Sequence, residues 1–280
     1  MKDEQKILKR KKYLLITIRL LLWIAIIVYL VIAFGFIADK SDSLICNAIK
    51  VIVADSSDNA FIQKSEILTR LHNSNIRIIG NQIDLINTYE IENLFKNHPS
   101  LRNAQVYKTI NGNICIYVEQ KNPLIRVFAS TGQTFYIDDK GGFIPFSNRY
   151  TSYVIVANGN IPVNLNFSED ISVYNWHGIK SSNNNILKDI YEISKYLNSN
   201  DFWKSQIGQI HVLKPNEYEL VPRVGAHIIN IGNTLNLEEK LRNLKAVYEK
   251  GFNHYGWNVY KYINLKYKNQ VICTKRENYE

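Results

Sequence analysis

The sequence has little cysteine, proline and glycine, and these shortages exclude several classes of protein. Three cysteines are too few for a disulfide scaffold, and an odd number cannot all pair within one chain. Six prolines and 13 glycines exclude collagen-like and Pro/Gly-rich low-complexity sequence. Because 46% of the residues are hydrophobic, the chain of 280 residues is not intrinsically disordered and has room for one or two folded domains.

The excess of positive charge is concentrated at the N-terminus. The formal net charge is +9, and residues 1–37 contribute +5 of it, with seven Lys/Arg against Asp3 and Glu4. The rest of the chain therefore carries only +4, which is a weak electrostatic footprint for nucleic-acid binding. We expect no nucleic-acid partner.

The sequence also lacks the motifs of catalysis and cofactor binding. Its six histidines are scattered, without the H-E-x-x-H, H-x-H or Cys-His spacings of metal sites, and it contains no G-x-S-x-G, P-loop or G-x-G-x-x-G. The pair Asp138-Asp139 stands in Asp-Asp-Lys-Gly-Gly, a composition typical of a solvated turn. We therefore expect no enzyme activity, no cofactor, no metal and no small-molecule substrate.

The three cysteines, Cys46, Cys115 and Cys273, each stand in an apolar, strand-like run. This setting favours buried, reduced thiols over ligands or nucleophiles. A Cys46–Cys115 disulfide stays open as an alternative, because an oxidising compartment permits it and the sequence does not give the distance.

One long hydrophobic run is present near the N-terminus, and its residues 20–37 include no charge. The run can be extended back to residue 13, with Arg19 as its only charge. A helix over these residues is roughly 37 Å long, which is enough to cross a hydrocarbon core of ~30 Å. A cleaved signal peptide and a buried core helix are the alternatives, and the length and basic flank favour an uncleaved anchor. The expected transmembrane helix covers residues 13–37, with anchor residues Tyr13, Arg19, Trp23, Tyr29 and Ile37.

The orientation follows from the charges around this helix. The basic tail of residues 1–12 ends in the cluster Lys9-Arg-Lys-Lys12, and the positive-inside bias places such a tail in the cytoplasm. No second apolar run reaches a dozen residues, so we expect a single-pass type II protein of the cytoplasmic (inner) membrane. The domains that follow would then be extracytoplasmic, or periplasmic.

Residues 38–122 predict a small α+β unit. The apolar residues of Ile49–Val53 alternate as in a strand, and Ser65–His72 has helical spacing. Asn87 and Glu90 have the spacing of a capping box for a second helix, and Asn111-Gly112 is a strong hairpin signal between two further strands. The predicted order is strand, helix, helix, strand, strand.

Residues 123–275 predict a second domain, a mixed β-sheet with flanking helices, followed by a tail of residues 276–280. Short alternating runs are interrupted by two amphipathic segments, one with Ile186, Ile190, Ile193 and Leu197 on a face and one that begins at Asn236 and ends near Gly251. The fold class is therefore α+β.

The end of this domain is rich in tyrosine, and we interpret residues 260–273 as one long strand. The strand is close to the chain end, so its outer edge is expected to stay uncovered and to accept a strand from a partner. The residues expected at this contact are Leu265, Tyr267, Asn269 and Val271. The alternative is that Tyr267 is only a core residue of the sheet.

Several stretches together resemble the bacterial cell-division family of FtsQ and DivIB. The stretch Ile114–Leu124 is similar to the hydrophobic-x-V-x-E-R-x-P hairpin that ends the family's POTRA domain, with Gln120 in place of Arg. Residues 97–106 are similar to its P-x-V-x-x-A-x-V stretch, and residues 135–145 to its entry into the β domain. Tyr262–Tyr267 stands where the family has Y-x-D-L-R-Y, with Asn and Lys replacing the Asp and Arg.

The resemblance implies a non-enzymatic divisome scaffold at the division septum. It implies a POTRA-like first unit, membrane contacts through the anchor, and links to other divisome membrane proteins. It also implies that the β domain binds bitopic partners of the FtsB/FtsL type through its last strand, with Tyr267 at the contact. Two alternatives stay open: an envelope scaffold of another POTRA-containing system, such as secretion or assembly, and a membrane-anchored cell-wall enzyme.

Overall fold

A computed structural model describes residues 17–34, 44–54, 60–167, 171–176, 186–252, 254 and 256–277. Its first element, helix α1, spans Thr17–Phe34, is long and apolar enough to cross a membrane, and is not buried against the rest of the chain. The predicted anchor residues Arg19, Trp23 and Tyr29 lie on α1 and are exposed. Tyr13, Ile37 and the tail of residues 1–12 lie outside the described residues.

The first outer unit is a small sheet with two helices packed on it. In the described part of the chain its sheet has three strands in the order β1-β3-β2, with β1 parallel and β2 antiparallel to β3. The predicted order of strand, helix, helix, strand, strand is confirmed. Its elements are β1 (Ile49–Val53), α2 (Lys64–Asn73), a 3-10 turn (Ile83–Leu85), α3 (Thr88–Lys96), β2 (Leu101–Lys108) and β3 (Ile114–Gln120).

Two local signals of the sequence fix this unit. The side-chain oxygen of Asn87 accepts the backbone N–H of Glu90 at 3.3 Å, which satisfies one of the free donors at the start of α3. Gly112 adopts a φ of +74° in the turn between β2 and β3, where a residue with a Cβ would be strained. The alternation of β3 then buries Ile114 and Val118 completely in the core of the unit.

The second outer unit is built on a mixed sheet, as predicted. Among the described residues the sheet has nine strands in the order β12-β11-β10-β9-β8-β7-β4-β5-β6, and β4/β7, β7/β8 and β10/β11 pair in parallel. Its strands are β4 (Pro123–Phe128), β5 (Thr134–Asp138), β6 (Phe143–Pro145), β7 (Ile155–Gly159), β8 (Ile207–Lys214), β9 (Glu217–Pro222), β10 (Ile228–Gly232), β11 (Tyr260–Asn264) and β12 (Ile272–Lys275). Its helices are α4 (Ile186–Asn198), α5 (Asp201–Gln206) and α6 (Leu237–Val247), the last continued by a π-helical turn (Tyr248–Phe252).

The helices contribute their apolar stripes to one core with the sheet. Ile190, Ile193 and Leu197 of α4 are fully buried in this core, together with Leu241 and Leu244 of α6. Both stripes were expected from helical spacing. Helix α5 was not, because six residues are too few to show a period.

The two outer units share part of a core. Tyr136 of β5 and Ile144 of β6 are fully buried in the hydrophobic cluster of the first unit. The ring of Phe61 meets Tyr136 edge-on, with 5.1 Å between centroids. Arg102 of β2 forms an ion pair with Asp139, so charged contacts add to the apolar ones.

The turn predicted at Asp138-Asp139 is present and Asp139 is exposed, but the expectation that Asp138 is solvated is wrong. Its side chain is buried, and its Oδ1 accepts the backbone N–H groups of Lys140 at 2.9 Å and Gly142 at 2.6 Å. Burial raises the pKa of Asp138, opposed by these hydrogen bonds and by the nearby charge of Lys121. The carboxyl group of Asp138 therefore organises the turn between β5 and β6 at the junction of the two units, and it is not solvated.

The interpretation of residues 260–273 as one strand is also wrong. Strand β11 ends at Asn264, the chain turns, and β12 returns antiparallel to β11 in the register Ile263 to Cys273. The outer edge of β11 is therefore covered by β12, and the free edge belongs to β12. The reversal uses Asn269, which adopts a φ of +58°, a left-handed conformation that asparagine tolerates better than most residues.

Candidate partner-binding edge

Strand β12 forms one end of the larger sheet. It pairs with β11 on one side, and no other strand in the described residues pairs with its outer side. An edge strand presents unpaired N–H and C=O groups on which another extended chain can add as a strand. Ile272 is 45% exposed and Thr274 is exposed, whereas Cys273 between them is partly buried against the core.

The four residues predicted for the partner contact do not lie on the edge strand. All four belong to the segment that connects β11 to β12. Leu265 is 2% exposed, packs in the main core, and donates its N–H to the carbonyl oxygen of Asn230 at 2.8 Å, so it supports the segment from inside. Tyr267 is 54% exposed and Asn269 is exposed, while Val271 is partly buried next to β12.

An ion-pair cluster holds this connecting segment to β9. The ammonium group of Lys266 lies 2.8 Å from Oε1 of Glu217, and that of Lys214 lies 3.1 Å from Oε2. Hydrogen bonds from these two lysines lower the pKa of Glu217, and Glu217 raises the pKa of Lys266. The backbone N–H of Lys266 also donates to Oδ1 of Asn264 at 2.9 Å, which starts the turn.

A polar network behind the edge links three neighbouring strands. The hydroxyl of Tyr262 on β11 donates to Oε1 of Glu219 on β9 at 2.8 Å and accepts from Nδ2 of Asn230 on β10 at 2.7 Å. Glu219 and Asn230 are buried, so each needs such a partner. Burial and the bond to Glu219 raise the pKa of Tyr262.

A small groove lies beside the connecting segment. Its volume is about 220 Å³, and it is bounded by Leu265–Gln270 on one side and by the start of α6 on the other. Leu235 and Asn236, which precede α6, also line it. Tyr267 also lines this groove and is exposed.

The titratable groups elsewhere in the described part of the chain are mostly structural in their contacts. Among the described residues, no group of three or more His, Cys, Asp or Glu side chains is placed to hold a metal ion. Burial lowers the pKa of His98 and of His227 to about 4, with contributions from nearby Arg and Lys charges. Both rings are therefore neutral near pH 7, and Nε2 of His227 lies 2.7 Å from the hydroxyl of Tyr248 in the core.

The sequence contained a signal for the turn that separates β11 from β12. Lys268, Asn269 and Gln270 form a polar triplet inside an apolar alternation, and asparagine is a common residue in turns. Neither glycine nor proline accompanies it, so the alternation of the flanking residues suggested a continuous strand.

Comparison with known proteins agrees with this two-unit architecture. The family model described as "POTRA-like domain" matches residues 44–119. The family model described as "FtsQ/DivIB, C-terminal related" matches residues 122–274. None of the curated proteins compared with the chain matches it.

A POTRA-like unit joined to a mixed-sheet domain, behind an apolar helix that fits a membrane anchor, defines a scaffold protein made of non-catalytic domains. The second match covers more than half of the chain. The chain therefore belongs to the FtsQ/DivIB family, and its domains support a role in bacterial cell division.

Proposed function

We propose that this protein is a non-enzymatic divisome scaffold that links early and late division proteins at the septum. It does so by binding bitopic proteins of the FtsB/FtsL type outside the cytoplasmic membrane. The observation that supports this proposal best is the free edge of β12 at the end of a domain that matches the FtsQ/DivIB family.

The proposed contact is the addition of a partner strand to β12. Main-chain hydrogen bonds to an edge supply affinity, and pockets for alternate side chains supply specificity. Ile272 and Thr274 are exposed on β12 and would meet the partner's side chains. Tyr267 and Asn269 lie exposed in the segment that connects β11 to β12, and Val271 immediately precedes β12.

The role of Leu265 in this proposal differs from that of the other three residues. Its buried side chain is not available to a partner. Leu265 instead fixes the connecting segment on the core, and Lys266 fixes the same segment on Glu217. The proposed contact set is therefore Tyr267, Asn269 and Val271 together with the exposed side chains of β12.

The proposal also includes the topology and the location. Helix α1 would cross the cytoplasmic membrane once, with the N-terminus in the cytoplasm and both outer units outside. The cluster Lys9-Arg-Lys-Lys12 before the helix supports this orientation, because positive flanks resist translocation.

Depletion of the protein in its host tests the division role. Cells that lose a divisome scaffold are expected to grow into filaments without septa. Re-expression of the wild-type chain is expected to restore septation. Normal division after depletion contradicts the proposed function.

A further inference from the structure

One end of the POTRA-like unit exposes a cluster of large apolar side chains. Ile110 at the tip of the β2–β3 hairpin is 96% exposed, and Leu85 in the 3-10 turn is 77% exposed. We call this cluster the hairpin end, and it consists of Ile45, Leu85, Tyr89, Tyr107 and Ile110. Single exposed apolar residues are common, but a group of five on one end of a small unit is the kind of surface that contacts a partner or a membrane.

Backbone contacts show that these residues share one end. The N–H of Ile83 donates to the carbonyl oxygen of Leu44 at 2.9 Å, which places the 3-10 turn beside the segment of Ile45. The ammonium group of Lys108 donates to the carbonyl oxygen of Asp84 at 3.1 Å, which joins the hairpin to the same turn.

The hairpin tip also lies against the start of the unit. A Cβ added to Gly112 would come within 3.3 Å of the carbonyl oxygen of Ile45 and 3.7 Å of the Leu44 side chain. Helix α3 begins three residues after Leu85, so Tyr89 in its first turn belongs to this end as well.

The chain enters the unit at this same end. Leu44 follows the last described residue of α1, Phe34, by ten positions, and a fully extended chain of that length spans at most about 36 Å. The hairpin end is thus tethered close to the place where α1 would leave a membrane. A short tether raises the effective concentration of the bilayer surface at this end, so weak contacts suffice for binding.

We propose that the hairpin end inserts shallowly into the headgroup and acyl boundary of the membrane that α1 crosses. The inference rests on the membrane attachment proposed above. Tyrosine is favoured at this boundary, where its ring is apolar and its hydroxyl stays wet, and the hairpin end exposes Tyr89 and Tyr107 together with the more apolar Ile110 and Leu85. Lys108, Asp84 and Glu90 bring charges of both signs to this end, so apolar burial and not attraction to anionic lipid drives the contact.

Shallow insertion would give the anchor a second point of attachment. A single membrane helix gives the outer units only one point of attachment. Contact at the hairpin end restricts the orientation of the first unit, and because the two outer units share a core, it also restricts the orientation of the edge at β12. A partner that is itself anchored in the membrane then meets the edge of β12 within a restricted range of distances from the membrane.

The test uses the full-length protein in nanodiscs of phosphatidylcholine and phosphatidylglycerol. An environment-sensitive fluorophore is attached to a single cysteine, and some of the lipids carry a quencher in the acyl chain. Cys273→Ser removes the partly exposed native thiol, and the other two cysteines are buried. Labels are placed through Ile110→Cys at the hairpin end, Trp23→Cys on α1, and Leu235→Cys, an equally apolar exposed position in the second unit.

Labels at positions 110 and 23 are expected to lose about half or more of their fluorescence to the quencher, because interfacial segments lie roughly 5–10 Å into the boundary. The label at 235 is expected to keep its fluorescence. Leu85→Gln is expected to reduce the quenching at 110 severalfold, and the matched control Leu235→Gln to leave it unchanged.

Three results overturn the inference, and they are distinguishable. Quenching at 23 without quenching at 110 leaves the anchor intact and shows that the hairpin end stays in water. A blue-shifted but unquenched label at 110 shows that a second copy of the chain covers it. Absence of quenching at both 23 and 110 shows that the membrane attachment itself fails, and the inference fails with it.

Discussion

The hydroxyl of Tyr262 donates a hydrogen bond to Oε1 of Glu219 at 2.8 Å and so connects β11 to β9 across β10. The same hydroxyl accepts from Asn230 on the strand between them. Because β12 pairs only with β11 in the described chain, the position of the free edge depends on how firmly β11 is held. This network is one reason that the end of the sheet has a defined geometry.

Tyr262→Phe should therefore destabilise the protein. The change removes the hydrogen-bond partner of Nδ2 of Asn230 and of Oε1 of Glu219, both on buried side chains, at a cost of about 1–3 kcal/mol in the free energy of unfolding. Urea denaturation of the outer fragment, residues 38–280, measures this. Tyr267→Phe is the matched control, since its ring is 54% exposed and removal of its hydroxyl should change little. Equal stability of the two variants would rule out the network as a support of the edge.

Tyr267→Ala should weaken partner binding without a comparable loss of stability. An exposed side chain contributes little to folding, so the free energy of unfolding should change by less than about 1 kcal/mol. An aromatic anchor at a contact contributes about 2 kcal/mol or more to binding, close to a 30-fold change in Kd. Binding of the co-purified bitopic partner is compared with that of Tyr153→Ala, which changes a tyrosine that is exposed elsewhere in the domain. Lost stability with intact binding would show that Tyr267 is a packing residue.

Because His227 is buried in its neutral form, the fold should be less stable in mild acid than at neutral pH. Its pKa is lowered to about 4 by burial, with a smaller effect of Arg276, whereas an unfolded histidine has a pKa of about 6.5. The unfolded chain binds the proton more tightly, so this contribution is complete above pH 6.5 and is lost as the pH falls from 6.5 through 4. The size of this contribution to the free energy of unfolding is on the order of 2 kcal/mol.

Unfolding of the outer fragment as a function of pH measures this effect. His227→Gln should flatten the decrease in stability between pH 6.5 and 4, with a remaining slope from His98, whose pKa is lowered in the same way. His72→Gln, at an exposed histidine on α2, should retain the full slope. A wild-type chain with the same stability at pH 7 and pH 5 would contradict the prediction.

The basic tail should control the orientation of the anchor. A reporter that is active only outside the cytoplasm, fused after Glu280, is expected to be active in the wild type. Replacing Lys9, Arg10, Lys11 and Lys12 with glutamine should lower this activity, because the charges that resist translocation are gone. A wild-type C-terminus in the cytoplasm would show that the proposed topology is wrong.

Prediction from the sequence was most successful for local features, such as helix caps and tight turns, that depend on a few neighbouring residues. The helix cap at Asn87 and the hairpin at Asn111-Gly112 depend on neighbouring atoms only, and both are confirmed. The apolar stripe of α4 was equally clear, because thirteen residues contain several turns of a period. The strand-helix-helix-strand-strand order and the mixed second sheet follow from such signals.

The sequence was least informative where burial depends on distant segments. Asp138 looks like a surface turn residue, and only the packing of the first unit against β5 and β6 buries it beside Arg102 and Lys121. The alternation from Tyr260 to Cys273 fits one strand or two, and only the pairing of β11 with both β10 and β12 decides between them. The free edge could therefore be expected near the C-terminus, but not assigned to β12.

Photo-crosslinking in living cells can show whether a bitopic division protein pairs with the edge of β12. A photoreactive phenylalanine analogue at Thr274, exposed on β12, is compared with the same analogue at Tyr153, exposed in the same domain but outside the edge. We expect an adduct with a small bitopic division protein, identified by mass spectrometry, at position 274 and not at 153. Normal septation with no such adduct at 274, or with the same adduct at 153, would contradict this pairing.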